Sequence, residues 1–477
     1  MASMTYGKHL PVAVVSFAAV ALFVAGCGSG STANNHLTPP PSVGSSFVVG
    51  TDAPLTVANV TSFTVPVESV TATDANNNTV QLVSGSPSVD FARFNGLQTL
   101  LDMNDVAVGT YTGISITLGA ATVGYLNVPA SGPPAIATAP VAYPDSASTY
   151  TYTQTLATPL VIAASSAPVG LRVDFDLRKS IQLESGSILD GSGNVDVTPT
   201  FDIGIVKNSD AGGYIDTLVA GVVSVGTQSF VVQGPHGENF TIDVSGTTEW
   251  ENGESIGNLT TSSIVEVSGK LDLADQTLDA DDVAILSQDG FYAAGQVTYV
   301  TPATGAAASF DLYVRGLLPT DTGLTLGDIA TVDLSNDPKF FIYWMHNPLT
   351  ELLFNSSQMM PGQHVSIGGP ASGAASASDV TAKRVVLRQW GFNGTVTANN
   401  AAVPVKGVTA FQMQVNGFAG VLIPETVTVY CLPNLGWRNG LSGMSDLKVG
   451  DNVRVVGLLL NLSGQPVLVG HYVDALN

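Results

Sequence analysis

Apolar and polar residues alternate with a period of two along much of the chain. Val65-Pro66-Val67-Glu68-Ser69-Val70-Thr71, Ile114-Ser115-Ile116-Thr117-Leu118 and Leu171-Arg172-Val173-Asp174-Phe175-Asp176-Leu177 are examples. Such alternation marks half-buried strands. In the third segment Leu171, Val173, Phe175 and Leu177 form one face, and Arg172, Asp174, Asp176 and Arg178 the other. Only Phe91 to Met103 allows a short helix, with Phe94, Leu97 and Leu101 roughly on one side, and it reads equally as a loop. Strands divided by glycine, proline and aspartate turns predict an antiparallel β-sandwich over residues 47–207. The strands read this way are shorter than the roughly 9–11 residues that a membrane-spanning barrel needs.

From residue 214 onward the pattern repeats. Three openings, Gly221-Val222-Val223-Ser224-Val225, Gly295-Gln296-Val297-Thr298-Tyr299 and Gly394-Thr395-Val396-Thr397, each lead into a further strand. Three middle elements align on Gly269, Gly369 and Gly457, which puts Val265/Val267, Val365/Ile367 and Val453/Val455 inward. The turn before them matches in Pro361-Gly362-Gln363 and Val449-Gly450-Asp451, where glycine permits positive φ, and Thr261-Ser262-Ser263 replaces it in the first unit. In the end elements Ala280, Ala382 and Val469 fall in register, as do Val283, Val385 and Tyr472. Short strands with a glycine after the central one predict three small closed barrels, 214–288, 289–390 and 391–477, because closure removes exposed strand edges. The pattern resembles a bacterial domain family of unknown function, a small OB-like barrel that often occurs in tandem in secreted proteins. The second unit carries an insertion in which Asn347 and Pro348 predict the start of a short helix. The fold expected is therefore all-β: an N-terminal antiparallel β-sandwich followed by three small OB-like β-barrel units.

The amino terminus has a different character. Lys8 and His9 precede an apolar run from Leu10 to Val24, too short to span a bilayer as a helix, and Val24-Ala25-Gly26 lead directly to Cys27. A basic start, an apolar stretch and small residues before a cut form a secretory signal. With Cys27 the segment resembles the bacterial lipoprotein box, which implies that 1–26 is removed and that Cys27 is acylated as the new terminus. Stable anchoring takes more than one acyl chain, and a triacylated cysteine meets that condition. Residues 27–46, rich in Gly, Ser and Pro, predict a flexible tether. The second cysteine, Cys431, reads as a small buried hydrophobe in a strand.

Within the sandwich region, Thr51-Asp52-Ala53-Pro54, Val89-Asp90-Phe91 and Val108-Gly109-Thr110-Tyr111-Thr112 resemble a bacterial lipoprotein domain of unknown function that begins with a T-D-A-P motif. The resemblance implies a β-sandwich-like fold and brings no activity and no catalytic residues.

Charge narrows the partners. Acidic residues outnumber basic ones 38 to 16, a formal net charge of −22. Such a chain does not attract a phosphate backbone, and between Gly221 and Gln288 the only Lys or Arg is Lys270, so no nucleic-acid partner is expected. The six histidines lie far apart in sequence. No nucleophile elbow and no phosphate loop occurs. Asp190–Asp196 and Asp74–Asn78 place oxygen side chains at alternate positions, as calcium loops do, but lack the EF-hand glycine and terminal glutamate and read as hairpin turns. Asp279 and Asp281 read as a solvated strand face, and Phe340-Phe341-Ile342-Tyr343-Trp344 as core.

Neither catalytic residues nor a cofactor nor a metal site is assigned from the sequence. The expected protein is held at the bacterial cell envelope, at the outer membrane, cell surface or periplasmic face, by a lipid on Cys27. Its expected role is non-enzymatic binding or structure, with an envelope protein or a glycan as partner. A glycan-binding or adhesive module, with Trp250, Trp344, Trp390 and Trp437 stacking on sugars, is the first alternative. A hydrolase whose residues meet only in the fold is the second.

Overall fold

The structure is a computed structural model of the chain. It describes residues 42–476 except 52–59, 94–97, 128–134, 165–168, 183–188, 208–213, 234–238, 273–274, 276, 320–321, 344–352, 371–378, 402–407, 417–421, 424–425 and 463. The signal segment, Cys27, Asp52-Ala53-Pro54 and the helix start at Asn347 therefore lie outside the described residues.

The first region is a sandwich of two sheets. One sheet has the order β12 (Phe201–Lys207), β10 (Val169–Phe175), β1 (Val43–Thr51), β5 (Thr99–Ala107). The other has the order β11 (Val195–Asp196), β8 (Ala135–Ala142), β7 (Thr122–Asn127), β2 (Val60–Asp74), β6 (Gly109–Leu118), β9 (Tyr150–Ile162), with β3 (Thr79–Gln81) and β4 (Ser88–Asp90) paired to β2. Pairing is antiparallel except between β1 and β10 and between β11 and β8. Both sheets turn apolar faces to one core, where Phe175 stacks on Phe201 at 4.6 Å between ring centroids and meets Phe63 and Phe91 edge-on at 5.1 Å. Offset and edge-on aromatic pairs of this kind add about 0.5–1.5 kcal/mol each beyond area burial.

Four local expectations are corrected here. β1 begins at Val43, so the last residues expected in the tether are strand. Among the described residues of Phe91 to Met103, Phe91–Arg93 is one 3-10 turn and Thr99 onward is strand, in place of the helix or loop expected there. The alternation around Leu171 stops at Phe175, because Asp176 caps a four-residue helix, Leu177–Ser180, by accepting a hydrogen bond from the Lys179 N–H at 3.1 Å. Strands also run longer than their clean alternation. β2 has 15 residues, and register shifts at Val60/Ser62 and Val67/Ser69 break its period.

Three five-stranded rings follow. In the first, β13 (Tyr214–Val225), β14 (Ser229–Gln233), β15 (Asn239–Asp243), β18 (Thr277–Ser287) and β17 (Ile264–Asp272) close in that order, with β15 and β18 parallel. The short β16 (Glu249–Trp250) pairs with the later half of β18. In the second, β19 (Gly290–Thr301), β20 (Ser309–Leu318), β21 (Ile329–Asp333) and β23 (His364–Pro370) keep the same places. Its last strand is split into β24 (Asp379–Thr381) and β25 (Arg384–Arg388), and β22 (Lys339–Ile342) runs parallel to β25. The third is a closed ring of β26 (Trp390–Ala398), β27 (Thr409–Val415), β28 (Thr426–Arg438), β30 (Gln465–Ala475) and β29 (Asn452–Leu462). A ring in which the third and fifth strands are parallel neighbours is the OB-like architecture.

The repeat is visible in one hydrogen bond. Before each central strand a side chain accepts from the N–H three residues back: Ser263 from Thr260 at 2.9 Å, Gln363 from Met360 at 2.9 Å, and Asp451 from Lys448 at 2.7 Å. Gly362 and Gly450 within these turns have φ +90° and +98°. The pairing also moves two alignments by one residue. Ala220, not Gly221, stands where Gly295 and Gly394 stand, since these three face Val265, Val365 and Val453. In the third ring Val473, not Tyr472, stands with Val283 and Val385, facing Val455 as they face Val267 and Ile367. Gly470 likewise takes the place expected for Val469, pairing with Gly457 as Ala280 pairs with Gly269. Both slips come from matching like residues along the sequence, which does not fix strand register; the bulges after Ala220, Gly295 and Gly394 fall at equivalent places.

Candidate functional site

The inward positions of the central strands are apolar in all three rings. Val265, Val267, Val365, Ile367, Val453 and Val455 are fully buried among other apolar side chains. Polar groups gather where the three rings meet. Between each inward pair stands one residue that points out of the barrel: Glu266 in the first ring, Ser366 in the second and Arg454 in the third. All three are buried, because the outer surface of each ring is covered by a neighbour.

Glu266 pairs with Arg388, the last residue of β25. The same Glu266 Oε1 accepts from the Thr217 hydroxyl at 2.5 Å, and Arg388 Nη1 donates to the Tyr292 hydroxyl at 2.6 Å. Burial is the largest influence on Arg388 and opposes its charge, but the Glu266 carboxylate together with the Tyr292 and Tyr343 hydroxyls outweighs it and raises the guanidinium pKa. Tyr343 lies beside them, its phenol pKa pushed well above the usual value by burial and then by the Glu266 charge. A cavity of about 60 Å³ opens among these side chains, lined also by Asp216, Arg315, His364 and Trp390.

Trp390 is clamped, with His364 stacked on its ring at 4.4 Å and the Arg315 guanidinium 4.8 Å from its centroid. Arg315 in turn reaches the sandwich. Its Nε and Nη2 donate to Asp90 Oδ2 at 3.3 and 3.2 Å, while Asp90 Oδ1 accepts from the Phe63 N–H at 2.8 Å. The Tyr313 hydroxyl bridges Ser62 and Thr61 of the sandwich at 2.9 Å each, and Gly124 leaves the room it needs, since a Cβ there would strike that hydroxyl. Asp216 accepts from the Gln98 N–H at 2.8 Å. Arg384 makes a two-point pair with Glu254 at 2.9 and 3.1 Å and lies 3.9 Å over the Phe341 ring. The sandwich and the rings are thereby joined by buried, charge-assisted bonds, and residues 41–477 form one unit. Such geometry holds parts in register, since two-point arginine–carboxylate pairs are directional.

The residues singled out in the sequence fall elsewhere. Cys27, Trp344, His236 and His346 lie outside the described residues. Trp250 and Trp437 are half-buried against their own ring cores and Trp390 is buried, so none of the three is an exposed platform. Cys431 is buried, and burial pushes its thiol pKa up to about 12. Asp74 accepts from the Asn78 side-chain amide and then from the Asn78 and Asn76 N–H groups, and Asp190 accepts from the Asn194 and Ser192 N–H groups, which hold both carboxyls below the usual range. Asp279 and Asp281 are exposed; burial, then the charges of Asp272, Asp243 and Asp281, raises the Asp279 pKa. Phe340 packs edge-on against Phe354 at 5.5 Å as core. Glu266, Arg388, Asp90–Arg315 and Arg384–Glu254 were not singled out as a site. For Glu266 the one sequence signal is a charged residue between two inward aliphatics, which a solvated strand face shows equally.

Comparison with known proteins matches the sandwich. Residues 48–199 match the model of a family described as Domain of unknown function (DUF4382). Among solved structures, "drosophila Unr CSD456" is similar over 55% of this chain and 97% of that one, at 10% identity and a TM-score of 0.14, which carries no argument on fold or function. No curated protein matches the chain.

Proposed function

We propose that the chain is a lipid-anchored protein of the bacterial cell envelope whose folded part binds or spaces a partner without transforming it. The address rests on Val24-Ala25-Gly26-Cys27 after the apolar run. The observation that carries the role is the locked junction. Its charged side chains face one another across unit boundaries, as in Glu266–Arg388, Arg315–Asp90 and Arg384–Glu254. A rigid body on a tether suits holding a partner at a fixed distance from a membrane. Its partner is an envelope component, and its acidity argues against a nucleic acid.

The test is fractionation of cells that make the full chain. The wild-type protein should sediment with membranes and incorporate a fatty-acid label, and Cys27→Ser should be released and unlabelled. A Cys27→Ser protein that still sediments with membranes overturns the anchor.

A further inference from the structure

We propose that the open edge of β9 pairs with the same edge of a second copy of this chain, antiparallel about a two-fold axis at Thr153. This goes beyond the anchored, non-enzymatic role and does not depend on Cys27.

β9 is the last strand of its sheet: β6 pairs with one flank, and no described strand pairs with the other. Its further neighbours, β12, β1 and β10, belong to the facing sheet. Thr151, Thr153 and Thr155 are exposed on the outer face, and Tyr150, Tyr152 and Gln154 are half-buried on the inner one, where Tyr152 packs on Phe201 at 5.1 Å. A strand at a sheet edge presents unpaired N–H and C=O groups, and folded proteins blunt such edges with charge, proline or short length. The other long edges of the sandwich are blunted. β5 carries Asp102 and Asp105, and β12 carries Asp202 and Lys207. β8 carries Pro140, and its Ile136 packs against Tyr313 of the second ring. In β9 itself the ladder with β6 skips Leu156–Pro159. Among the described edges of the sandwich, Tyr150–Thr155 alone is left long and open. It is a stretch in unbroken register, with no charge and no proline, and rich in the Tyr and Thr that favour strands.

What fits this edge is another neutral strand. From Ser146 to Leu171 the chain has no charged residue, although its net charge is −22. A second copy brings the same uncharged row, so no like charges meet across the pair. A basic peptide would find no carboxylate along this stretch. A two-fold axis perpendicular to the sheet reverses the strand and keeps both outer faces on one side. With that axis at Thr153, Thr153 faces its own copy, Thr151 faces Thr155 of the second copy, and Tyr152 faces Gln154. Every exposed threonine of the stretch then lies across from a threonine, a favourable cross-strand pair. The same pairing already exists within the chain, where the Thr117 and Thr151 hydroxyls are 3.2 Å apart. Pairing consumes both open edges, so the assembly closes as a dimer and does not grow. So short a ribbon buries less than the roughly 800 Å² per partner of a stable interface, so the dimer is a weak, exchanging one.

The experiment is oxidative cross-linking in cells that make the full chain with one cysteine added to β9. Opposed Cα atoms of an antiparallel pair lie about 4.5–5.5 Å apart, within the roughly 4.4–6.8 Å that a disulfide spans. Thr153→Cys should give a covalent dimer at about fivefold or more the yield of Thr155→Cys, whose own copy lies about 13 Å away along the strand. Thr151→Cys and Thr155→Cys chains made together should cross-link with each other. Tyr299→Cys, also exposed, should not, and the parent chain, whose Cys431 is buried, sets the background. Thr153→Lys added to both chains of the Thr151→Cys and Thr155→Cys pair opposes two like charges at the axis and should cut their yield about fivefold or more. A Thr153→Cys yield no higher than that of Thr155→Cys or Tyr299→Cys overturns the pairing. So does a Thr151→Cys with Thr155→Cys yield that Thr153→Lys leaves unchanged. Cross-linking is read in whole cells whichever fraction holds the chain, so failure of the anchor leaves this test standing.

Discussion

The inside of each ring and the junction between rings are equally buried but differently made. Inside, the three units agree: Val265/Val267, Val365/Ile367 and Val453/Val455 occupy the same register and belong to the apolar cores. Outside, the residue between each pair has diverged to Glu266, Ser366 and Arg454. The interior must fill a closed volume at crystal-like density, so its chemistry is held constant. The outer face answers only to whatever covers it. In a tandem array each copy has different neighbours, so that face is free to specialise; in the first ring Glu266 became half of an ion-paired lock with Arg388, whereas Arg454 pairs with Asp474 of its own ring. Likeness among repeats therefore marks the cores, and unlikeness marks where the units bind one another.

The largest test of this contrast removes half of a junction pair. Glu266→Ala leaves Arg388 buried without its carboxylate and should destabilise the chain by about 3–5 kcal/mol. Ile367→Val, in the ring interior, should cost about 0.5–1.5 kcal/mol. The double change Glu266→Leu with Arg388→Met should lose much less than Glu266→Ala alone, since a matched apolar pair leaves no stranded charge. Urea unfolding of the variants reads all three values. A single-variant loss no larger than that of Ile367→Val would put the pair on the same footing as a surface contact.

A medium effect sharpens the register. A Cβ at Gly295 would run into the Tyr313 carbonyl, whereas one at Gly221 meets nothing within 4 Å. Gly295→Ala should therefore destabilise by about 1–3 kcal/mol, and Gly221→Ala should stay within about 0.5 kcal/mol of the parent. Equal losses would restore Gly221 as the equivalent of Gly295.

The smallest effect is in pH. Burial raises the Asp216 carboxyl pKa from 3.8 despite the Gln98 hydrogen bond. The folded chain thus holds this proton to higher pH than the unfolded chain. The stability this contributes is complete below 3.8 and is lost as pH rises through the raised value. Asp216→Asn keeps an acceptor for Gln98 but has no proton to lose. It should match the parent at low pH and melt above it at neutral pH. A gap in melting temperature that does not widen with pH would show that the carboxyl is not desolvated.

Most of the fold was legible, and the misses have a shared cause. Positive φ at Gly362 and Gly450 follows from the turn pattern, because the turn selects glycine. The one-residue slips at Gly221 and Tyr472 arose because like residues were matched where pairing, not residue type, fixes the register. Neither the helix nor the loop weighed for Phe91 to Met103 fits its later part, because Leu101 alternates as well in a strand as it recurs in a helix, and pairing with β1 decides for the strand. The site itself was barely legible. Val-Glu-Val in a strand looks the same whether the glutamate faces water or an arginine 122 residues away.

By itself the sequence determined that the chain is all-β, that its last part repeats, and which residues line each ring, because local alternation and turn chemistry act over a few neighbours. Only the tertiary structure decided the parallel closures of the rings, the bulge-shifted registers, and the meeting of Asp90 with Arg315 and of Glu266 with Arg388. Those depend on which outer faces are pressed together, and no local period carries that information.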